Sequence, residues 1–139
     1  RQAVKYSIRP CEARPVRTPQ PPGPDLLRAA LRNSLKAGDV CLELLAQART
    51  SNDMSVEDSM TEWDPVQAPF IPVATIHIPK QAFDTPERHA FCENLSFTPW
   101  HSLPEHRPLG VTNRIRRVVY ERISRLRHEM NSTPRVEPE

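Results

Sequence analysis

Two arginines and a tyrosine near the end of the chain have the types and spacing to form a metal-binding site. Arg116, Tyr120 and Arg127 are separated by four and seven residues, so on an α-helix they lie along one stripe. An arginine one turn from a tyrosine can reach the phenol oxygen and stabilise its phenolate form. A phenolate is a hard anionic ligand that suits ferric iron, and an arginine two turns away can pair with a carboxylate. The spacing therefore predicts an anionic iron ligand beside a carboxylate-binding group.

Two simpler interpretations of the same residues stay open on spacing alone. An Arg-x-x-x-Tyr pair arises often by chance, and a tyrosine on a basic helix usually does no more than pack. Seven arginines lie between residues 107 and 127, which is also the pattern of a solvated basic face. The choice between a ligand and a packed tyrosine depends on the surrounding residues.

The tyrosine lies on the strongest helical pattern of the sequence. Residues 112–130 contain neither glycine nor proline, and Thr112 or Asn113 is expected to cap the helix that they predict. Apolar residues recur every three or four positions, which is the period of one helix face. They are Ile115, Val118, Val119, Ile123, Leu126 and Met130.

Three other segments predict β-strands. Residues 3–9 alternate apolar and polar side chains, 39–48 do so except at Leu45, and 71–78 are rich in β-branched residues. For 39–48 a helix is the alternative. The elements give an α+β fold with about three strands, which is too few to close a barrel. Because an open sheet leaves unpaired edges, further strands are expected upstream.

A shorter helix and one helical turn complete the expected elements. Leucine and alanine fall on one face of residues 26–37, with Asp25 as the expected N-cap and Gly38 as the stop. A turn of helix is predicted at 86–92.

Frequent prolines limit which conformations the remaining segments of the chain can adopt. Sixteen of the 139 residues are proline, which disfavours a helical bundle. Residues 10–24 predict an extended connector, for which a solvated loop and a recognition motif are both open interpretations. Residues 49–69 predict a long loop with a short helical turn at 55–60.

Charge and composition exclude some function classes. The formal net charge is +2, which argues against a nucleic-acid binder that acts through bulk electrostatics. No apolar run has the roughly 20 residues that a membrane span needs, and no signal peptide is visible. The chain begins with Arg1 instead of Met and a strand is already predicted at residues 3–9, so the chain is expected to be a fragment or a processed product.

The three cysteines are predicted to be free thiols. Cys11, Cys41 and Cys92 are odd in number and widely spaced, and they form no Cys-x-x-Cys or Cys/His zinc pattern. Unpaired thiols favour a reducing compartment.

The segment around the tyrosine resembles the haem-ligand segment of the catalase superfamily, especially the small catalase-related haem proteins of bacteria. It runs from residue 95 to 128, LSFTPWHSLPEHRPLGVTNRIRRVVYERISRLRH. The family pattern is a Phe-x-Pro, a proline-rich loop, Arg-x-x-x-Tyr on a helix, and arginines five and seven residues after the tyrosine. The matching residues are Phe97, Pro99, Arg116, Tyr120, Arg125 and Arg127.

The resemblance extends over nearly the whole chain and implies its fold. VKYSIRP, VCLELLAQA and FIPVATIHIP are similar to catalase barrel strands, and SVEDSMTEWDP, with Trp63, is similar to the family's linking segment. Residues 1–139 would then be the C-terminal portion of a catalase-like haem domain, part of an antiparallel β-barrel followed by the haem-ligand helix. The N-terminal half of the fold would be absent from this chain.

The resemblance implies a role for each of four residues. Tyr120 would be the axial ligand of ferric haem b, and Arg116 would hydrogen-bond its oxygen. Arg127 would pair with a haem propionate, and Phe97 would line the pocket. The complete protein would break down hydrogen peroxide or organic hydroperoxides, and the bacterial cytoplasm is the expected location. The oligomeric state, including a homo-oligomer, is left open.

The sequence departs from the family in two places. Catalases usually have Tyr-Pro-Asp-Thr at the ligand, whereas this chain has Tyr-Glu-Arg-Ile at residues 120–123, which points to the small catalase-related proteins. The family's distal His and Asn lie upstream of any part represented here, so the chain alone is expected to be inactive toward peroxide. None of the five histidines matches the distal motif, and all are expected to be structural or exposed: His77, His89, His101, His106 and His128.

Two alternatives to a peroxide-degrading protein remain. One is a non-catalytic or degenerate haem-binding member of the same superfamily. The other is a haem-free protein-interaction module that uses the proline-rich 10–24 and the arginine-rich helix.

Overall fold

A computed structural model of the chain describes residues 2–12 and 23–135. These fall into two compact units, as far as their residues are described. The first takes in Arg1–Thr50 and Asp64–Thr85, and the second takes in Ser51–Trp63 and Pro86–Glu139. None of the helices described is long and apolar enough to cross a membrane.

The first unit is built on a three-stranded antiparallel sheet. Its strands are β1 (Val4–Pro10), β2 (Val40–Ala48) and β3 (Phe70–Ile78), in the order β1-β2-β3. All three predicted strands are confirmed, and β2 is a strand rather than the alternative helix. The coarse α+β class is confirmed as well. The sheet is open, so closure into a catalase-like barrel stays a prediction.

Strand β3 accommodates a proline because it lies at an edge of the sheet. Pro72 pairs with Leu45 where the register shifts between Leu44 and Leu45. Proline has no backbone N–H to give to a neighbouring strand, and it is tolerated at edges and bulges. The pairing of β3 with β2 is therefore offset by one residue on the two sides of this irregularity.

The two faces of the sheet are covered to different extents. One face includes Leu45 and Gln47, which are 6% and 1% exposed, and Gln47 Nε2 donates to the carbonyl of Ala68 at 2.8 Å. The predicted alternation is confirmed, but the face that carries most of the apolar side chains is the exposed face of the sheet. The exposed apolar side chains of β1 and β3 lie on the face opposite Leu45 and Gln47, and they are Val4, Tyr6, Ile8, Ile71 and Ile76.

Helix α1 (Leu26–Ala37) agrees with the predicted 26–37. Its carbonyl at Leu35, a buried residue, accepts a hydrogen bond from the Gln81 backbone N–H at 3.1 Å. Gly38 ends the helix as predicted, with its N–H bonded to the Ser34 carbonyl at 3.2 Å. The predicted cap was wrong in its chemistry, because the Asp25 side chain makes no capping hydrogen bond.

The second unit consists of the 51–63 loop, helix α2 (Pro86–Asn94), a short 3-10 helix (Pro104–His106) and helix α3 (Val111–Asn131). The predicted helices at 86–92 and 112–130 are confirmed. The predicted helical turn at 55–60 was wrong. Asp58 instead forms a turn by accepting hydrogen bonds from the Met60 N–H and the Thr61 hydroxyl, both at 2.9 Å.

Gly110 determines where α3 begins. Neither Thr112 nor Asn113 caps the helix, so that prediction was wrong, and Gly110 is the N-cap residue. Its φ of 86° is a conformation that glycine adopts without steric cost. The carbonyl oxygen of Val56 lies too close to Gly110 for a β-carbon to fit there. The loop and the start of α3 therefore approach each other more closely than a side chain at residue 110 would allow.

The prediction of three free thiols was wrong for two of them. Cys11 and Cys41 form a disulfide with their Cα atoms 5.5 Å apart, and only Cys92 is free and exposed. The pairing could not be read from spacing because 30 residues separate the two cysteines and antiparallel strand pairing brings them together. The argument for a reducing compartment therefore loses its basis. Of the proline-rich 10–24, residues 13–22 lie outside the described residues.

Candidate functional site

Three of the four residues predicted to contact haem line one pocket. The pocket, of about 310 Å³, lies between α3 and the segment that follows α2. A volume of this size is at the small end of the range for ligand sites. Its lining residues are Leu95, Ser96, Phe97, Tyr120, Ile123, Ser124 and Arg127.

The helical period explains why α3 contributes four side chains to this pocket. Tyr120, Ile123, Ser124 and Arg127 are spaced three, one and three residues apart, which places them along one face of the helix. The predicted stripe that joins Tyr120 to Arg127 therefore borders the pocket. Tyr120 is 39% exposed, so its ring is accessible from the pocket and from solvent.

The Arg127 side chain hydrogen-bonds two backbone carbonyls, and its Nε–H group has no hydrogen-bond partner. Its Nη2 donates to the carbonyls of Glu93 at 2.6 Å and Leu95 at 3.1 Å, at the end of α2. Its Nε is buried without a hydrogen-bond partner, because the Glu93 carboxylate is 3.9 Å away. A buried N–H without a partner is rare, and here it belongs to a residue that lines a pocket.

Arg116 does not border the pocket. It donates from Nη1 to the Asn113 side-chain oxygen at 3.4 Å, one turn toward the start of the helix. No hydrogen bond joins Arg116 to the Tyr120 phenol among the described residues. The predicted stabilisation of a Tyr120 phenolate by Arg116 thus stays a prediction, and it requires a different rotamer of Arg116.

The pocket side of α3 is supported by polar groups that sequence reasoning did not single out. His128 is 7% exposed and its Nε2 lies 2.8 Å from the Asn94 carbonyl, while Nδ1 lies 2.5 Å from the Ser124 carbonyl. With Arg127, it ties α3 to the carbonyls at the end of α2. The expectation that the histidines are structural or exposed agrees with His128, which is buried and hydrogen-bonded.

Apart from Ile123, which lines the pocket, the apolar stripe that predicted α3 lies outside these contacts. Its side chains are exposed, from 41% for Val119 to 75% for Met130. The helix is thus secured through its polar side, and its apolar stripe is available for contacts that the described residues do not provide. This stripe consists of Ile115, Val118, Val119, Ile123, Leu126 and Met130.

Several arginines of α3 are in ion pairs. Arg114 makes a bidentate pair with Glu57 at 2.7 and 3.0 Å, and this hydrogen bonding lowers the pKa of the Glu57 carboxyl. Hydrogen bonds from Arg125, and then from Arg135, lower the pKa of Glu121. Arg117 stacks over the Trp100 ring at 4.8 Å. These arginines have specific partners but are exposed, so the interpretation of a solvated basic face stays open.

The side chains that could coordinate a metal ion limit which kinds of metal site this chain can form. The described part of the chain has no group of three or more His, Cys, Asp or Glu side chains that could hold a metal ion. A haem brings its own equatorial nitrogen ligands and needs only an axial donor from the protein, which a tyrosinate can supply. The apolar ring of Phe97, the phenol of Tyr120 and the unpartnered Nε of Arg127 fit such a group.

Comparison with known proteins gave no relative. No protein-family model, no curated protein and no solved structure matches this chain.

Proposed function

We propose that this chain forms the proximal side of a haem pocket in a catalase-like protein that breaks down hydrogen peroxide or organic hydroperoxides. The observation that supports the proposal is the convergence of Phe97, Tyr120 and Arg127 on one pocket. Tyr120 and Arg127 were selected from the sequence by spacing and resemblance and Phe97 by resemblance, and Phe97 lies 23 positions before Tyr120.

Each lining residue has a distinct task in this proposal. Tyr120 would hold the haem iron through its phenolate, and Phe97 would pack against the porphyrin. Arg127 would pair with a propionate, which a charged donor binds more strongly than a neutral one does. Arg116, once turned from Asn113, would donate to the Tyr120 oxygen and keep it anionic. The haem, when bound, would supply redox chemistry toward peroxide.

Further strands are part of the proposal. The apolar face of the sheet, with Tyr6 and Ile71 exposed, and the apolar stripe of α3 both fit a fold in which additional segments cover them. The distal His and Asn that handle peroxide would belong to such segments. This chain with haemin alone is therefore expected to show no catalase activity above that of free haemin.

An absorbance titration with haemin tests the ligand assignment. The chain has two tyrosines, so Tyr120→Phe has a matched control in Tyr6→Phe on β1. We expect a saturable Soret shift for the wild type and for Tyr6→Phe, and none for Tyr120→Phe. Circular dichroism on the same samples checks that each variant is folded.

Two results would contradict the proposal. Equal Soret shifts for Tyr120→Phe and the wild type would exclude Tyr120 as the ligand. A folded wild type with no saturable shift would exclude haem binding by this pocket. That second outcome favours the haem-free interaction module, which predicts salt-sensitive binding to an acidic partner instead.

A further inference from the structure

The disulfide of the first unit lies beside a histidine that sheet pairing places next to it. Cys41 on β2 pairs with His77 on β3, and the Cys11 N–H donates to the Cys41 carbonyl at 3.1 Å. Cys11, Cys41 and His77 therefore form one row across the sheet. Because cross-strand partners share a face, the disulfide and the imidazole lie on the same side.

The hydrogen-bond pattern brings the imidazole close to Cys41. In an antiparallel sheet the N–H and C=O of one residue point toward the same neighbouring strand, and those of Cys41 point toward Cys11. The pair of Cys41 with His77 is thus of the non-hydrogen-bonded kind, whose side chains come closest. Cross-strand β-carbons in such pairs are about 4.5–5.5 Å apart.

His77 is held by a carboxylate on its other side. Its Nε2 lies 3.0 Å from Oδ2 of Asp39, and Asp39 Oδ1 accepts the Lys80 backbone N–H at 2.8 Å. The Nδ1 atom of His77 has no hydrogen-bond partner within the described residues. The Asp39 carboxylate orients the ring, and a histidine beside a cysteine stabilises its thiolate.

We propose that Cys11 and Cys41 form a redox-active disulfide that exchanges with dithiol reductants, with His77 stabilising the departing Cys41 thiolate. Cys11 is exposed and Cys41 is half-buried, so Cys11 Sγ is the sulfur that a thiol reaches. Leaving groups that are better thiolates depart faster, which assigns Cys41 Sγ as the leaving atom.

The exchange balances as a two-electron reduction. A thiolate of the reductant attacks Cys11 Sγ, the S–S bond breaks, and its electron pair leaves on Cys41 Sγ beside the His77 ring, where the sulfur takes up a proton from solvent. The second thiol of the reductant, losing its proton to solvent, attacks the mixed disulfide and releases Cys11 as a thiolate, which takes up a proton. The protein gains two electrons and two protons, and the dithiol becomes a disulfide.

Reduction has a structural consequence within the first unit. The disulfide closes a loop with a sequence separation of 30 residues that contains α1. After reduction, α1 is held by non-covalent contacts such as those of Arg28 and Arg32 with Asp84. The redox state of this site thus sets how firmly β1 and α1 are tied to β2.

The rate of reduction by dithiothreitol as a function of pH tests the role of His77. All proteins carry Cys92→Ser so that no third thiol exchanges, and reduction is followed by mass after alkylation. The variant is His77→Gln, and His106→Gln is the control because His106 is also exposed but lies in the second unit. The other charged groups near the site are Asp39, Lys80, Arg9 and Glu43, and Asp39→Asn is measured alongside.

At pH 6 we expect the disulfide to be reduced about three- to tenfold faster with His77 than with Gln at this position. The ratio should fall toward one at pH 9, because thiols ordinarily ionise there without help from a neighbouring group. Asp39→Asn should lie between the two, and His106→Gln should match the parent protein. A purely structural role of His77 would not produce this pH dependence.

Two outcomes would overturn the proposal. One is the same pH–rate curve for His77→Gln and the parent protein, with both folded by circular dichroism. The other is the recovery of two free thiols after refolding in oxidised glutathione, since Cys11 and Cys41 would then not pair.

Discussion

The two units hold their elements together by different kinds of cross-link. In the first, a covalent bond between Cys11 and Cys41 reinforces the backbone pairing of β1 with β2. In the second, α3 is secured by the close approach of Gly110 to Val56 and by polar contacts of Arg127 and His128. The covalent link depends on redox conditions, whereas the non-covalent links depend on shape and hydrogen bonding. Each kind can be broken separately.

The largest effect is expected from removing the covalent link. Replacing both Cys11 and Cys41 by serine opens a loop with a sequence separation of 30 residues, which in the chain-entropy description costs about 3–4 kcal/mol of unfolding free energy. Hydrogen exchange of the β1 and β2 amides measures the loss. Cys92→Ser is the matched control, because Cys92 is exposed and unpaired, and it should leave exchange unchanged.

Fluorescence shows whether this effect stays within the first unit. Both tryptophans, Trp63 and Trp100, belong to the second unit. In the double serine variant, we expect the loss of unfolding free energy measured by tryptophan fluorescence to be smaller than the loss measured by hydrogen exchange of β1 and β2. Equal changes in both probes would show that the two kinds of cross-link stabilise one cooperative structure.

The next largest effect is expected at Gly110. Gly110→Ala places a β-carbon against the Val56 carbonyl at a φ that alanine rarely adopts, which should cost about 2–3 kcal/mol. Gly38→Ala is the control, since its surroundings are open and its φ of 178° is ordinary extended backbone. Thermal unfolding followed by tryptophan fluorescence compares them. Equal melting temperatures for the two variants would contradict a tight loop–helix approach.

A smaller effect is expected from the hydrogen bonds of α3. His128→Leu keeps an apolar volume but leaves the Asn94 carbonyl without its partner, at a cost of about 1–2 kcal/mol. The exposed His106→Gln should cost less than about 0.5 kcal/mol. Urea unfolding measures both. An unchanged stability of His128→Leu would mean that water replaces the imidazole at this carbonyl.

The sequence predicted the backbone of this chain better than its cross-links. Strand alternation and helical period depend on local pattern, and β1, β2, β3, α1 and α3 were located from them. The disulfide depends on strand pairing between residues 30 apart, and the Gly110 contact depends on a loop 54 residues upstream at Val56. Local pattern carries no information about such contacts.

The candidate site was predicted in part. Spacing and resemblance selected Tyr120 and Arg127, and resemblance added Phe97; these three share the pocket. Both also selected Arg116, which bonds to Asn113 instead. Ser124 was missed because a serine on an otherwise apolar and basic helix has no distinctive spacing. Its position four residues after Tyr120 was the only signal that could have placed it on the same face.

The smallest effect is expected from acid, and it should appear in both units. Lowered pKa values mean that the folded chain binds fewer protons than the unfolded chain does. The pKa of Asp39 lies below its ordinary 3.8 through the Lys80 N–H and His77, and that of Glu57 lies below 4.5 through Arg114. The stabilisation that these two carboxylates provide is complete above these ordinary values and is lost as the pH falls through the folded pKa values.

Two variants test this acid dependence. Glu57→Gln should flatten the acid side of the curve of stability against pH measured by tryptophan fluorescence. Asp39→Asn should flatten the acid side of the curve measured by hydrogen exchange of β3. Because both carboxylates are exposed, salt should reduce each effect. Curves that are parallel to the wild type would show that these ion pairs contribute nothing to either unit.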